Sequence, residues 1–195
     1  MRSWASGDSS GPGAARGSPA AAIEIEDLEA GARELAVPVI RDGFVGIYRW
    51  HAKRTLREVP RVRAARSVGE IVGVSLLDRL APEIGYVYYI IVRQAYRGKG
   101  IGGLLCDDAL LRYRAEGVEV VYAAVQTDNV PSLRLFARRG FRPVERKERG
   151  WAEGGLGAWG LRSRMRLVPG ERLLGLRLQA PLRSPATGAT REAVG

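Results

Sequence analysis

Arg97-Gly98-Lys99-Gly100-Ile101-Gly102-Gly103 decides how this chain is read, because of what flanks it. Before it runs Tyr86-Val87-Tyr88-Tyr89-Ile90-Ile91-Val92, apolar and β-branched enough for a buried strand. After it, Leu104 to Glu116 carries leucines and alanines at helical spacing. A strand, a glycine-rich turn and a helix in that order form an anion cradle. Glycine lets backbone N–H groups converge, and the helix start adds unpaired N–H groups and a positive dipole end. Arg97 and Lys99 add full charges, so the turn suits a phosphate or pyrophosphate.

Three other readings of the turn compete. A Walker loop needs Ser or Thr after its lysine, and Gly100 follows Lys99. Gly98, Gly100 and Gly103 match the dinucleotide fingerprint literally. That fingerprint also needs an acidic residue about 20 positions on, at the end of a strand. Glu119 instead stands where the next strand begins. The third reading is a glycine-rich turn with no ligand.

A second segment, Thr127 to Phe141, separates these readings. With the first it resembles the GNAT superfamily of N-acetyltransferases over roughly residues 23–168. The superfamily's acetyl-CoA signature, Q/R-x-x-G-x-G/A, is matched by Arg97, Gly100 and Gly102. Its later pattern, N-x-x-A/S-x-x-L-Y/F-x-x-x-G-F, is matched by Asn129, Ser132, Leu135, Phe136, Gly140 and Phe141. The resemblance implies an α/β (α+β) fold, with a mixed, mostly antiparallel sheet flanked by helices and strands splayed at an acetyl-CoA cleft. It implies that the N–H groups of Gly98, Lys99, Gly100, Ile101, Gly102 and Gly103, with Arg97, receive the pyrophosphate. Ile90, Ile91 and Val92 would pair with the pantetheine arm like an added strand, and Asn129 would contact it. A backbone N–H near Ile91 or Val92 would polarise the acetyl carbonyl. No metal is implied.

The proton-transfer groups depart from the family pattern. Many relatives place a tyrosine at the position of Phe136, and phenylalanine has no proton to give. Some carry a glutamate in the strand before the glycine loop or five residues before the asparagine. Those positions hold Tyr86 and Ala124. Glu83 and Tyr86 are therefore the candidate catalytic residues, with Glu70 as a further carboxylate. His51, the single histidine, stands among Arg49, Lys53, Arg54 and Arg57 and reads either as a base or as part of a basic face.

Composition bounds the rest. The 195 residues suit one domain at residues 23–168, a disordered segment at 1–22 rich in Ser, Gly, Ala and Pro, and an extension at 169–195 loose at its end. No apolar run approaches the roughly 20 residues of a membrane helix, and no secretory h-region is visible. Cys106 is alone, which permits a reducing compartment and makes cytoplasmic the default. The net charge of +10 rests on 31 basic residues, of which only Lys53, Lys99 and Lys147 are lysine. No basic–aromatic interleaving accompanies it, which argues against a nucleic-acid platform. The expected partners are acetyl-CoA and an amine acceptor, protein or small molecule, for a monomer or homodimer. A non-catalytic acyl-CoA-binding module and a basic nucleic-acid-associated protein are the alternatives.

Along the chain, Ile23–Ile25 reads as a strand. Asp27 reads as the cap of a helix to Val37 that Pro38 ends. Asp42 reads as the cap of a second helix to Glu58. Strands are expected at 62–66, 70–77, 84–92 and 118–126, then at 141–149 and 164–168, with a helix from Pro131 to Gly140 between the fourth and fifth. The glycine-rich stretch Gly150–Gly160 reads as a linker.

Overall fold

The computed structural model describes residues 22–145 and 163–178. Seven strands form one sheet in the order β1-β2-β3-β4-β5-β7-β6. They are β1 (Glu24–Asp27), β2 (Arg61–Ser67), β3 (Glu70–Ala81), β4 (Ile84–Val92), β5 (Val120–Gln126), β6 (Arg142–Pro143) and β7 (Glu171–Arg177). Every neighbouring pair is antiparallel except β4 and β5. That parallel pair needs a crossover, and α3 (Ile101–Ala115) supplies it. The expected mixed, mostly antiparallel sheet flanked by helices is what the chain forms.

Helices cover both faces. α1 (Val37–Gly43) and α2 (Gly46–Glu58) bury Val39, Ile40, Ala52 and Leu56 against Val62, Val74 and Leu76 of the sheet. On the other face, α3 and α4 (Val130–Ala137) bury Cys106, Ala109, Leu110, Tyr113 and Phe136 against Val87, Val121, Ala123 and Leu174. Tyr113 ties the second layer to the sheet. Its hydroxyl lies 2.8 Å from the carbonyl oxygens of both Asp78 and Tyr86.

Two irregularities of β4 open the sheet and sort its side chains. Against β3, Leu76 pairs with Tyr89 and Leu77 with Val87, so Tyr88 is an extra, bulged residue. The bulge breaks the two-residue alternation. Tyr86, Tyr88, Tyr89 and Ile91 pack on the α1–α2 side, whereas Val87 and Ile90 pack on the α3 side. Against β5, pairing runs only from Ile84↔Val120 to Val87↔Ala123. Beyond Val87 and Ala123 the two strands part. Both continue, β4 to Val92 and β5 to Gln126, with an open wedge between them.

The amino-terminal helices differ from the sequence expectation. Asp27 ends β1 rather than capping a helix, and a 3-10 segment spans Ala30–Ala36. Pro38 falls in the first turn of α1, where a missing N–H costs no hydrogen bond. Asp42 lies inside α1, and its carboxylate accepts from the Gln94 N–H at 2.8 Å. At the other end, β6 is two residues long, and the rest of the expected 141–149 strand, like the 150–160 linker, lies outside the described residues. Residues 163–165 are helical rather than the start of a strand. The strand that completes the sheet is β7, within the stretch expected to be an extension. It pairs with β5 along seven positions, from Val120↔Arg177 to Gln126↔Glu171.

Candidate functional site

The β4–β5 wedge opens into a cleft of about 700 Å³, within the range of small-molecule sites. One wall is β4 from Val87 to Val92 and the other is Ala124, Val125 and Gln126 of β5. The floor is the turn and first residues of α3, with Arg97, Gly98, Gly100, Ile101, Gly102 and Gly103. Asn129, Ser132, Leu135 and Phe136 close the α4 side. The ends of β4 and β5 are unpaired to each other here, so their polar backbone groups need another partner.

The glycines of the floor are conformational and steric requirements. Gly98 and Gly100 have φ of +75° and +83°, the left-handed region that costs an L side chain about 1–2 kcal/mol. Gly100 is also the N-cap of α3, with no side-chain cap on the first-turn N–H groups. Those donors are left for a ligand. A Cβ on Gly102 would sit 3.0 Å from Leu135 Cδ1 and 3.7 Å from Val92 Cγ2, so the helix start touches α4 and the end of β4 there. A floor of converging N–H groups under an open wedge fits a pyrophosphate carrying an extended arm.

Charges flank the floor. Arg97 is held by its Nε–H donating to the Val92 carbonyl at 3.1 Å. Arg134, Arg138 and Arg139 line the α4 side, and Asp107 holds Arg139 through two hydrogen bonds of 2.6 and 2.8 Å. Lys99 turns elsewhere: its Nζ sits 5.0 Å from the centre of the Tyr96 ring, and its side chain is outside the lining. Asn129 caps α4 by accepting from the Ser132 N–H at 3.2 Å, which leaves its side-chain NH₂ for a ligand. Phe136 is buried, edge-on to Phe141 with ring centres 5.0 Å apart.

The two expected catalytic residues do not reach the cleft. Glu83 stands at the β3–β4 turn, where its carbonyl accepts from the Glu119 and Val120 N–H groups. Six residues of strand, about 20 Å, separate that turn from Ile90. Tyr86 is 1% exposed, and its hydroxyl donates to the Met165 carbonyl at 3.0 Å. Burial pushes its pKa well up. Tyr86 shares a face with Tyr88 and Tyr89 but lies before the point where β4 and β5 part, opposite Tyr122, and Met165 and Leu173 cover it there. Glu70 pairs with Arg93 at 3.1 Å on the outer surface.

What the cleft does contain is a polar group at its α2–β7 end. Phe44, Tyr48, Tyr88, Tyr89, Gln126 and Glu171 meet there. Gln126 Nε2 donates to the Tyr48 hydroxyl. Glu171, first residue of β7, accepts from the Val168 N–H at 2.9 Å and pairs with Gln126 across the strands. Burial raises its carboxyl pKa; the Val168 bond and the charge of His51 oppose the rise. Burial also raises Tyr89 and Tyr88 to about 12, so both are neutral phenols at physiological pH. A side cavity of about 10 Å³ lies behind Glu171 and is lined by His51, Thr55, Tyr88 and Arg166. Sequence reasoning misses Glu171 because residues from 169 onward read as an extension. The signal is nonetheless present: Pro169-Gly170 marks a turn, and a leucine-rich run comes after it.

The geometry and the family comparison agree. The profile described as Acetyltransferase (GNAT) family matches residues 26–141, from β1 through the end of α4. The chain belongs to the GNAT acetyltransferase family. The RimI N-alpha-acetyltransferase of Mycobacterium tuberculosis is 36% identical over 126 residues, covering 61% of this chain and 78% of that protein. An L-methionine sulfoximine/L-methionine sulfone acetyltransferase of Pseudomonas aeruginosa is 31% identical over 96 residues, 47% of this chain and 56% of that protein. A mycothiol acetyltransferase of Corynebacterium glutamicum is 34% identical over 76 residues, 39% of this chain and 26% of that protein. The chain thus spans between about a quarter and about half of the length of these last two. Among solved structures, a GNAT family acetyltransferase from Elizabethkingia anophelis with acetyl-CoA bound superposes with a TM-score of 0.60 at 18% identity, over 80% of this chain and 98% of that one. The Escherichia coli ribosomal-protein-S18-alanine N-acetyltransferase gives 0.61 at 14%, over 84% and 99%. GNAT acetyltransferases use acetyl-CoA. Among the described residues no helix is long and apolar enough to cross a membrane.

Proposed function

We propose that this GNAT protein transfers an acetyl group from acetyl-CoA to a primary amine, by direct attack while both are bound. The observation that carries the reading is the wedge between β4 and β5 standing over the uncapped start of α3. The N–H groups of the 98–103 turn hold the pyrophosphate, with Arg97 beside it. The unpaired edge of β4 at Ile90, Ile91 and Val92 orders the pantetheine arm, and Asn129 contacts it from α4. A backbone N–H near Ile91 or Val92 faces the acetyl carbonyl and stabilises charge developing on its oxygen. Acetyl-CoA supplies an activated acyl group whose thiolate leaves readily, so no protein nucleophile is needed. Its thiol has a pKa near that of free cysteine, about 8.5, which makes a phenol at position 136 dispensable.

The acceptor enters from the α2–β7 end, where Tyr48, Tyr89, Gln126 and Glu171 present an acidic and hydrogen-bonding rim within a cationic molecule. That local polarity favours a protonated amine. The name of the RimI relative supports a protein N-terminus; a lysine or a small amine metabolite fits the same chemistry. The test is acetyl-CoA-dependent thiol release against peptides with free N-termini, lysine peptides and small amines. Activity on at least one primary amine is expected. Acetyl-CoA binding without turnover on any of them would leave a non-catalytic acyl-CoA-binding module, the reading that buried Phe136 favours.

A further inference from the structure

We propose that Glu171 is the general base that deprotonates the acceptor amine, so that this chain supplies from β7 a carboxylate that some relatives carry on β4 or β5. The proposal rests on the amine-acetyltransferase reading above and adds the residue that reading lacks.

Glu171 opposes Gln126, and Leu173 opposes Ala124. Residue 171 is therefore the diagonal neighbour of residue 124, on the same face of the sheet. Diagonal neighbours lie about 7–8 Å apart at the backbone, within reach of a long side chain. Ala124 carries only a methyl group, and both residues line the cleft. A glutamate at 171 reaches over that methyl to the place a glutamate at 124 would occupy. No other carboxylate lines the cleft among the described residues.

The surroundings suit a base. Glu171 is half-buried at the cleft wall, and its Val168 bond fixes one oxygen while leaving lone pairs for a substrate N–H. The groups facing it are Tyr48 and His51 from α2, Tyr86 and Tyr89 from β4, and Gln126 from β5. Arg166 and Tyr88 line the side cavity behind it. Asp128 acts on Tyr48 from the β5–α4 turn. Burial raises the carboxyl pKa towards the working pH, the direction that makes a better base.

The balance of the step is simple. The substrate ammonium gives one proton to the Glu171 carboxylate. The freed nitrogen lone pair forms the N–C bond to the thioester carbonyl carbon. The C–S bond breaks with its electron pair left on sulfur, and the thiolate takes the second proton from nitrogen. Glu171 returns its proton to solvent, so amine and thioester become amide and thiol.

The test uses the full chain and Glu171→Gln, whose amide oxygen can still accept from the Val168 N–H. With an amine that the wild type acetylates, Glu171→Gln should lower turnover about 10²–10⁴-fold, leave acetyl-CoA affinity unchanged and shift the acid limb of the pH profile up to the pKa of the free amine, because only amine already deprotonated in solvent then reacts. Adding Ala124→Glu should restore part of the rate from β5. A second readout does not need turnover: the Glu171 side-chain carboxyl carbon, followed by NMR in the acetyl-CoA-bound protein, should titrate above the ordinary glutamate value of about 4.3. An unchanged rate and pH profile in Glu171→Gln, or an ordinary titration, overturns the base alone. A rate loss that is equal at every pH and comes with lost acetyl-CoA binding assigns Glu171 a structural role and also overturns it. A wild type that acetylates no amine overturns the transferase reading, and the base falls with it.

Discussion

Gly100→Glu should abolish stabilisation by acetyl-CoA while leaving the protein folded. Gly100 caps α3 with φ at +83°, and nothing lies within 4 Å of where its Cβ would stand. Any L residue there pays about 1–2 kcal/mol of left-handed strain. A domain of this size loses about 2–4 °C of melting temperature per kcal/mol, so the free protein should drop by about 2–8 °C. The ligand effect is separate. At 100 times its Kd, a ligand that binds only the native state adds about 2.7 kcal/mol, or about 5–11 °C. The glutamate places a carboxylate against the N–H groups proposed to hold the pyrophosphate, so that shift should vanish. Gly100→Ala carries the same strain without the charge and should keep a measurable shift. Thermal unfolding with and without acetyl-CoA reads both effects. A full shift in Gly100→Glu would refute the placement of the pyrophosphate.

Three further outcomes are expected from the geometry. Arg63 is 3% exposed, bonded to both oxygens of Asp108 at 2.8 and 3.0 Å and paired with Asp27 at 2.9 Å. Removing one partner of a buried pair costs about 3–5 kcal/mol. Arg112 still reaches Asp108, so Arg63→Ala should lie at the low end and lower the melting temperature by about 6–12 °C. Phe136→Tyr should change turnover less than tenfold, about 1.4 kcal/mol of barrier, in a thiol-release assay; a larger loss would show that the ring's packing controls the step. For Glu171, burial raises the folded-state pKa above its unfolded value. The native state therefore binds more protons across that interval, and stability falls as pH rises through it. Above the interval the buried carboxylate is a cost, so Glu171→Gln should melt higher than wild type at pH 7–8, with the gain shrinking as pH falls through the raised pKa and gone below the ordinary glutamate value of about 4.3. Melting temperature against pH checks the sign.

Local chemistry was legible in the sequence because it is written in consecutive residues. The 84–92 strand and the 97–103 turn carry their signals within a few positions, as do the cap at Asn129 and the Pro131 start of α4. The structure places them there. The N-terminal helices were not legible in the same way, because Asp27 and Pro38 each permit two local structures and packing chose between them. Pro38 starts α1 rather than ending a helix because Val39 and Ile40 bury against the sheet from that position.

The composition of the cleft was a tertiary decision. Which face a β4 side chain takes depends on the bulge at Tyr88, and that bulge exists only in the pairing with β3. It turns Tyr88 and Tyr89 to one face, while Tyr86, ahead of it, stays in the paired part of the sheet under Met165, and Glu83 is left at a remote turn. The carboxylate at the cleft comes from residue 171, 45 positions beyond its strand partner Gln126. Sequence alone determined the glycine turn and the uncapped helix start after it, since backbone donors in a glycine turn are a local property. Only the sheet could bring Glu171 beside Ala124, because strand register is set by side chains far apart in the chain.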